Sequence, residues 1–152
     1  MLARKLVSAV IVIVIAAGAV CTANSQAKPD VLVKQRQAAM TLQGKYFGPL
    51  VGMLRGASPY DAELVARNAK YLDVLASMPW DGFAESTQGE TSRALPSVWT
   101  DQSKFRLMIE EFQGAVTGLV AASSGGREVD ARMAIDNLAE ACGNCHDDFR
   151  RK

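Results

Sequence analysis

The sequence is poor in the residues that most often ligate metals and form disulfides, because its 152 residues include a single histidine and three cysteines. Any site that needs two histidines from one chain is therefore excluded. Aromatic residues make up only 7% of the chain, and the 17 basic side chains nearly balance the 16 acidic ones. The chain lacks the basic surface that nucleic acid binding requires, so we predict no nucleic acid partner.

Long apolar runs are also scarce, and the one clear run lies at the N-terminus. Residues 6–20 are almost all apolar, two basic residues precede them, and small residues follow, which is the layout of a secretory signal peptide. The run has about 15 residues, whereas a membrane-spanning helix prefers roughly 20. We therefore predict cleavage of residues 1–27, with Ser25 as a second cleavage position and an uncleaved anchor as the alternative. Residues 28–152 would then be periplasmic, without a stable membrane anchor.

Apolar residues recur at spacings of three and four in four stretches after the signal peptide, and no strand pattern stands out. The stretches cover about residues 29–54, 58–75, 97–122 and 127–150. Four helices of this length predict an all-α protein, an antiparallel four-helix bundle that forms one domain over residues 28–152.

Three features are expected to interrupt the helices. Pro49 predicts a kink or a break near residue 48, because proline has no backbone N–H to donate. Ser58 is predicted to cap the second helix. Residues 78–96 are rich in proline, glycine, serine and threonine and predict one long loop. Trp80 and Trp99, which border this loop, are predicted to pack in the core.

The strongest motif is Cys142-Gly143-Asn144-Cys145-His146, a CxxCH sequence in the last helix. Residues three apart share a helix face, so Cys142 and Cys145 can form thioether bonds to the two vinyl groups of one haem. His146 follows directly and can offer a ring nitrogen to the iron. The motif therefore predicts one covalently attached haem c per chain, bound to the C-terminal helix, with His146 as the proximal iron ligand.

Three other interpretations of the motif fit less well. A thioredoxin-like cysteine pair normally follows a strand, whereas here a helical pattern precedes it. A closed zinc site needs four ligands, and the motif supplies three. A disulfide between residues three apart on a regular helix would close a very small loop.

The sixth iron position cannot come from a second histidine. It is left to a methionine, another side chain, a small ligand or nothing. Spacing does not choose among the methionines that follow the signal peptide, which are Met40, Met53, Met78, Met108 and Met133.

An exported four-helix chain with its CxxCH near the C-terminus resembles the cytochrome c′ family, in particular its low-spin, methionine-ligated branch. The residues that carry the resemblance are Arg36-Gln37-Ala38-Ala39-Met40, Lys104-Phe105, Ala141 to His146 and Phe149-Arg150. The resemblance implies that Met40 is the distal iron ligand, that Arg36 lies near the haem propionates, and that Arg150 lies near the proximal side. For both arginines the other interpretation is a solvated helix face.

This resemblance implies an exported electron carrier with redox partner proteins and no enzymatic turnover, and it allows a homodimer. A thioether opposite a histidine stabilises ferrous iron, which suits electron transfer. The alternative is an iron that is five-coordinate, or from which Met40 is displaced, and that binds nitric oxide or carbon monoxide.

Overall fold

The computed structural model describes residues 27–152, so the predicted signal peptide before residue 27 lies outside the described residues. The α-helices are α1 (Pro29–Leu54), α2 (Ala62–Leu75), α3 (Ser97–Thr100), α4 (Gln102–Ser124) and α5 (Glu128–Phe149). The four long helices, α1, α2, α4 and α5, form the all-α four-helix bundle that the sequence predicts. Within residues 27–152, no helix is long and apolar enough to span a membrane.

The sequence predicts a kink or a break near residue 48. Helix α1 continues through Pro49, so the break is wrong, and the kink stays a prediction. Proline at this position removes the hydrogen bond to the carbonyl of Lys45, and its ring crowds that carbonyl. Both residues lie on the exposed face of the helix, where water can satisfy that carbonyl. Leu50 and Met53, which follow the proline, are buried at 0% and 4% exposure. Their packing in the core outweighs the cost of one lost hydrogen bond.

Aspartates, rather than Ser58, set the starts of two helices. Asp61 accepts a hydrogen bond from the backbone N–H of Leu64 at 3.0 Å and caps α2, so the prediction that Ser58 is the cap is wrong. Asp101 caps α4 in the same way through the N–H of Lys104 at 3.3 Å. The third predicted stretch is consequently divided into a short α3 and a long α4.

The apolar stripes of the four long helices meet in one core. Its largest fully buried apolar side chains are Leu50, Val65, Leu72, Val116, Leu119, Ile135 and Leu138. Each side chain of this size contributes about 1.5–3 kcal/mol when it is buried. Two buried amides add specific contacts between α1 and α2. Asn68 Nδ2 donates to the carbonyl of Tyr46 at 2.8 Å, and Gln43 Nε2 donates to the carbonyl of Leu75 at 2.9 Å.

The chain between α2 and α3, residues 76–96, is here called the connecting segment. It is more ordered than the single loop predicted from its composition, because it forms two short 3-10 helices, Trp80–Phe83 and Glu85–Thr87. Gly82 lies so close to α1 that a Cβ there would be 2.5 Å from the Cβ of Arg36. Glycine at this position therefore permits the close packing of the segment on α1.

The two tryptophans pack beside this segment as predicted. Trp80 packs against both core clusters, and its Nε1 donates to the carbonyl of Ala76 at 2.6 Å. Trp99 packs in the smaller cluster, and its Nε1 donates to the carbonyl of Phe83 at 3.1 Å. Each indole thus combines apolar packing with a partner for its N–H.

Candidate cofactor site

The CxxCH motif occupies the last two turns of α5. Cys142 and Cys145 are half-buried, and both thiols are free, so the structure has no disulfide between them. Their spacing of three residues brings both side chains to the same cavity, which His146 also lines. The last turns of the helix thus present two thiols and an imidazole to one cavity.

This cavity has a volume of about 650 Å³ and is lined by residues of all five helices and of the connecting segment. Its wall is mostly apolar and includes six aromatic side chains: Phe47, Trp80, Phe83, Phe105, Phe112 and Phe149. The ring of Phe105 lies edge-on to those of Phe83 and Phe149, with centroids 5.1 Å apart in both pairs. Edge-to-face contacts of this kind stabilise a rigid aromatic wall.

The surroundings of the two thiols and the imidazole favour their neutral forms. Burial raises the pKa of Cys142 to about 11, with a smaller contribution from the nearby Cys145. Burial also raises the pKa of Cys145, and the charge of Asp148 adds to the effect. The pKa of His146 is lowered, first by burial and then by the charge of Arg150. A neutral imidazole has a free lone pair, which is the form that ligates a metal.

Arg150 lies one turn after His146, and its Nη1 is 3.2 Å from the Nδ1 of the imidazole. An arginine can only donate, so Nδ1 accepts in this contact and the ring proton lies on Nε2. Coordination of a metal through Nε2 would move that proton to Nδ1. Arg150 would then have to shift away from the ring, because two donors would face each other.

All six site residues predicted from the sequence line this one cavity. They are Arg36, Met40, Cys142, Cys145, His146 and Arg150. Met40 reaches the cavity from α1, whereas the CxxCH residues reach it from α5. The bundle thus brings together two sequence segments about one hundred residues apart.

Arg36 is not on a solvated helix face, since only 3% of it is exposed. Its guanidinium donates to the carbonyl of Gly82, to Thr87 Oγ1 at 3.2 Å and to Ser92 Oγ at 2.9 Å. It also lies 4.4 Å from the ring centroid of Phe83, in cation–π contact. Burial lowers the pKa of Arg36, although an arginine stays charged at neutral pH. Arg36 therefore holds the connecting segment against α1 at the edge of the cavity.

Sequence reasoning did not assign several cavity residues to the site. Trp80 was expected only to pack, and Phe83, Ser92 and Arg93 had no predicted role, yet all four line the cavity. They belong to the connecting segment, whose composition has no periodicity to indicate which side chains face inward. The one available signal was the presence of two aromatic residues in an otherwise polar segment.

The residues of the cavity fit a haem c. The volume of the cavity lies within the range of roughly 300–1,000 Å³ that is usual for cofactor sites. The apolar wall of the cavity suits an apolar macrocycle. Cys142 and Cys145 supply two thiols for thioether bonds, and His146 supplies an imidazole beside them. Arg93 and Arg150 provide positive charge at the rim, which suits the carboxylates of such a group.

Comparison with known proteins agrees with this site. The family model described as Cytochrome C′ matches residues 31–150. The chain is 35% identical to the cytochrome c′ of Alcaligenes xylosoxydans xylosoxydans over 83% of its own length and 98% of that protein.

The chain belongs to the cytochrome c′ family.

Solved structures of this family have the same fold. The cytochrome c′ of Rubrivivax gelatinosus superposes with a TM-score of 0.78 at 33% identity, covering 82% of this chain and 98% of that one. A nitric oxide complex of a variant cytochrome c prime from Alcaligenes xylosoxidans gives a TM-score of 0.76 at 35% identity, with 83% and 98% covered. A carbon monoxide-bound variant from the same organism gives the same values.

Membership establishes the cofactor and leaves the finer assignment open. Cytochromes c′ carry covalently attached haem c, one per chain, and so does this protein. The narrower prediction, that the chain belongs to a low-spin, methionine-ligated branch, gains no support from these relatives.

Proposed function

We propose that this cytochrome c′ binds a diatomic gas, nitric oxide or carbon monoxide, at its haem. The observation that carries the proposal is the apolar cavity beside Cys142, Cys145 and His146, in a chain 35% identical to a protein whose variants bind both gases. Haem c supplies, when bound, an iron that takes a small ligand or exchanges one electron. We therefore prefer gas binding, which the sequence predicts as the alternative function, to electron transfer.

The residues of α5 would hold the cofactor. Cys142 and Cys145 would form the two thioether bonds, and His146 would be the proximal ligand through its neutral imidazole. Arg150 lies one turn after His146 on that side and would move away from Nδ1 when the ring proton moves there. The mostly apolar wall beside these residues favours a neutral gas molecule over a polar ligand.

Met40 would control access of the gas. It is half-buried, lines the cavity from α1 and carries an unbranched, flexible side chain. Such a side chain can occupy the space beside the iron and leave it without any movement of the backbone. A gas entering the cavity would therefore compete with the Met40 side chain for the same volume.

The test is the rate at which the reduced protein binds carbon monoxide, measured by stopped-flow absorption. We expect Met40→Ala to bind carbon monoxide at least about tenfold faster, which corresponds to about 1.4 kcal/mol less barrier. Met108→Ala is the matched control, because Met108 is also half-buried but packs in the smaller core cluster and does not line the cavity. The control should bind at the unmodified rate. A reduced protein that binds no carbon monoxide, with or without Met40, would refute the proposal.

A second candidate function is one-electron transfer with His146 and Met40 as the two axial ligands. The specific observation in its favour is that Met40 and His146 line the same cavity from different helices. This candidate predicts a low-spin absorption spectrum for the gas-free protein, converted to high-spin by Met40→Ala. A gas-free spectrum that is already high-spin, and unchanged in the variant, would exclude Met40 as a ligand.

We also propose that the protein is exported. Residues 1–27 would be a cleaved signal peptide, and residues 28–152 would form the periplasmic cytochrome domain, with the haem attached after export. Mass spectrometry of the mature protein tests the cleavage position, and a chain that retains Met1 would contradict it. The homodimer and the redox partner proteins that the family resemblance allows stay predictions.

A further inference from the structure

The amide of Gln43 is a buried, uncharged polar group in the mostly apolar wall of the cavity. Its side chain is only 9% exposed. Gln43 follows Met40 by three residues on α1, so both side chains line the cavity from the same side of one helix. Burying an amide costs free energy unless its polar atoms form hydrogen bonds. The hydrogen bonds of Gln43 therefore indicate why a polar side chain lies there.

The protein uses only part of this amide. Gln43 Nε2 donates to the carbonyl of Leu75 at 2.9 Å, and Oε1 accepts no hydrogen bond within residues 27–152. In that part of the chain, no fully buried side-chain oxygen or nitrogen lacks a partner, so Oε1 must be accessible. Because the side chain lines the cavity, the space that Oε1 reaches is the cavity. Gln43 thus offers a free hydrogen-bond acceptor to the cavity.

The bond to Leu75 does not by itself explain the amide. The carbonyl of Leu75, at the C-terminus of α2, also accepts from the backbone N–H of Met78 at 3.2 Å. An apolar side chain at position 43 would therefore leave no unsatisfied carbonyl at this helix end. The burial of the amide consequently indicates a second partner, on the side of the cavity.

A bound haem c would not be that partner. Its carboxylates are acceptors, as Oε1 is, and the arginines at the rim suit them. Its macrocycle keeps no N–H when the iron is bound. An acceptor needs a hydrogen-bond donor. The partner of Gln43 Oε1 is therefore a small molecule that carries a donor and shares the cavity with the haem.

We propose that Gln43 forms a polar subsite that binds one water molecule beside Met40, and that an entering gas molecule displaces this water. Only the second part of this inference rests on the proposed gas binding. Water can donate to Oε1, whereas nitric oxide and carbon monoxide carry no hydrogen and cannot. Displacement of the water thus breaks a hydrogen bond that the gas does not replace, and it opposes gas binding.

The first experiment is a crystal structure of the reduced, gas-free holo-protein, which tests the subsite without measuring any activity. We expect an ordered water with its oxygen about 2.5–3.0 Å from Gln43 Oε1. The same water should be absent from Gln43→Met, in which a side chain of similar length has only a weakly accepting sulfur. An Oε1 that faces the cavity with no ordered water beside it, or that pairs with a protein group, would overturn the proposal.

The second experiment measures carbon monoxide binding to the reduced protein by stopped-flow absorption. Gln43→Met and Gln43→Leu should both bind about three- to tenfold faster than the unmodified protein, because no hydrogen-bonded water has to leave. Asn68→Leu is the matched control. Asn68 is also a buried amide that joins α2 to α1, through the carbonyl of Tyr46, but it does not line the cavity. This control should bind at the unmodified rate.

The results distinguish the subsite from gas binding itself. Unchanged rates in both Gln43 variants, or the same acceleration in Asn68→Leu, would refute displacement of the water by the gas. An unmodified protein that binds no carbon monoxide would refute the proposed function and this displacement, while the ordered water would still support the subsite. Circular dichroism of each variant verifies that the helices are retained.

Discussion

Two regions of very different origin build the cavity, the C-terminal turns of α5 and the connecting segment. In α5, Cys142, Cys145 and His146 face the cavity because of their spacing on one helix, which is a local property. In the connecting segment, Trp80 and Phe83 face the cavity because Arg36 and the close approach of Gly82 to α1 hold them there. The chemistry of the site is therefore encoded locally, whereas its enclosure depends on contacts between residues distant in sequence.

The largest expected effect concerns the two cysteines of the motif in α5. Cys142→Ser/Cys145→Ser removes both sulfurs, and a hydroxyl cannot form the thioether bonds, so we expect complete loss of covalently retained haem. Acid–acetone extraction of the purified protein measures this. The single variants should keep at most one bond to the haem. Haem that resists extraction from the double variant would show that the motif is not the attachment site.

The next largest effect concerns the connecting segment and its contacts with α1. Arg36→Leu removes three hydrogen bonds and a cation–π contact that hold the connecting segment, and we expect a loss of about 2–4 kcal/mol in the free energy of unfolding. Urea unfolding followed by circular dichroism measures it. Arg55→Leu, an exposed change at the end of the same helix, should cost no more than about 0.5 kcal/mol. Equal costs for the two variants would mean that Arg36 does not hold the segment.

The reactivity of the thiols tests the environment of the motif residues in α5. In the folded apoprotein, burial raises the pKa of Cys142 to about 11 from an ordinary 9.0. Because the thiolate is the reactive form, alkylation of Cys142 by iodoacetamide should keep accelerating with pH up to about 11. In the urea-unfolded chain it should level off near 9. Identical pH profiles for the folded and unfolded chains would show that the cavity does not desolvate this thiol.

The smallest expected effect tests the packing of the connecting segment on α1. Gly82→Ala would place a Cβ 2.5 Å from Arg36 Cβ and 2.8 Å from the carbonyl oxygen of Leu32, so the segment must move. We expect a loss of about 1–3 kcal/mol in the free energy of unfolding. Gly114→Ala, in an open helical position, should instead stabilise the protein by up to about 1 kcal/mol. A stabilising Gly82→Ala would contradict the observed packing.

Sequence reasoning succeeded where local periodicity determines the structure. The four long helices follow from apolar spacing, and the placement of Cys142, Cys145 and His146 follows from a motif of five residues. Met40 and Arg150 line the same cavity, and the roles toward the haem that the family resemblance implies for them stay predictions.

The sequence does not predict the features of the structure that contacts between distant residues determine. The helix through Pro49 continues because Leu50 and Met53 pack in the core, and no local rule gives that result. Arg36 is buried because it holds the connecting segment, and that segment has no periodicity from which its packing could be predicted.

The most direct test of the central claim is the absorption spectrum of the purified, reduced protein before and after exposure to carbon monoxide. The proposed gas-binding haem c protein predicts a haem spectrum that persists after denaturation, because the cofactor is covalently attached. It also predicts a clear shift of the haem bands when carbon monoxide is added. A reduced spectrum that carbon monoxide leaves unchanged would contradict gas binding at this cavity.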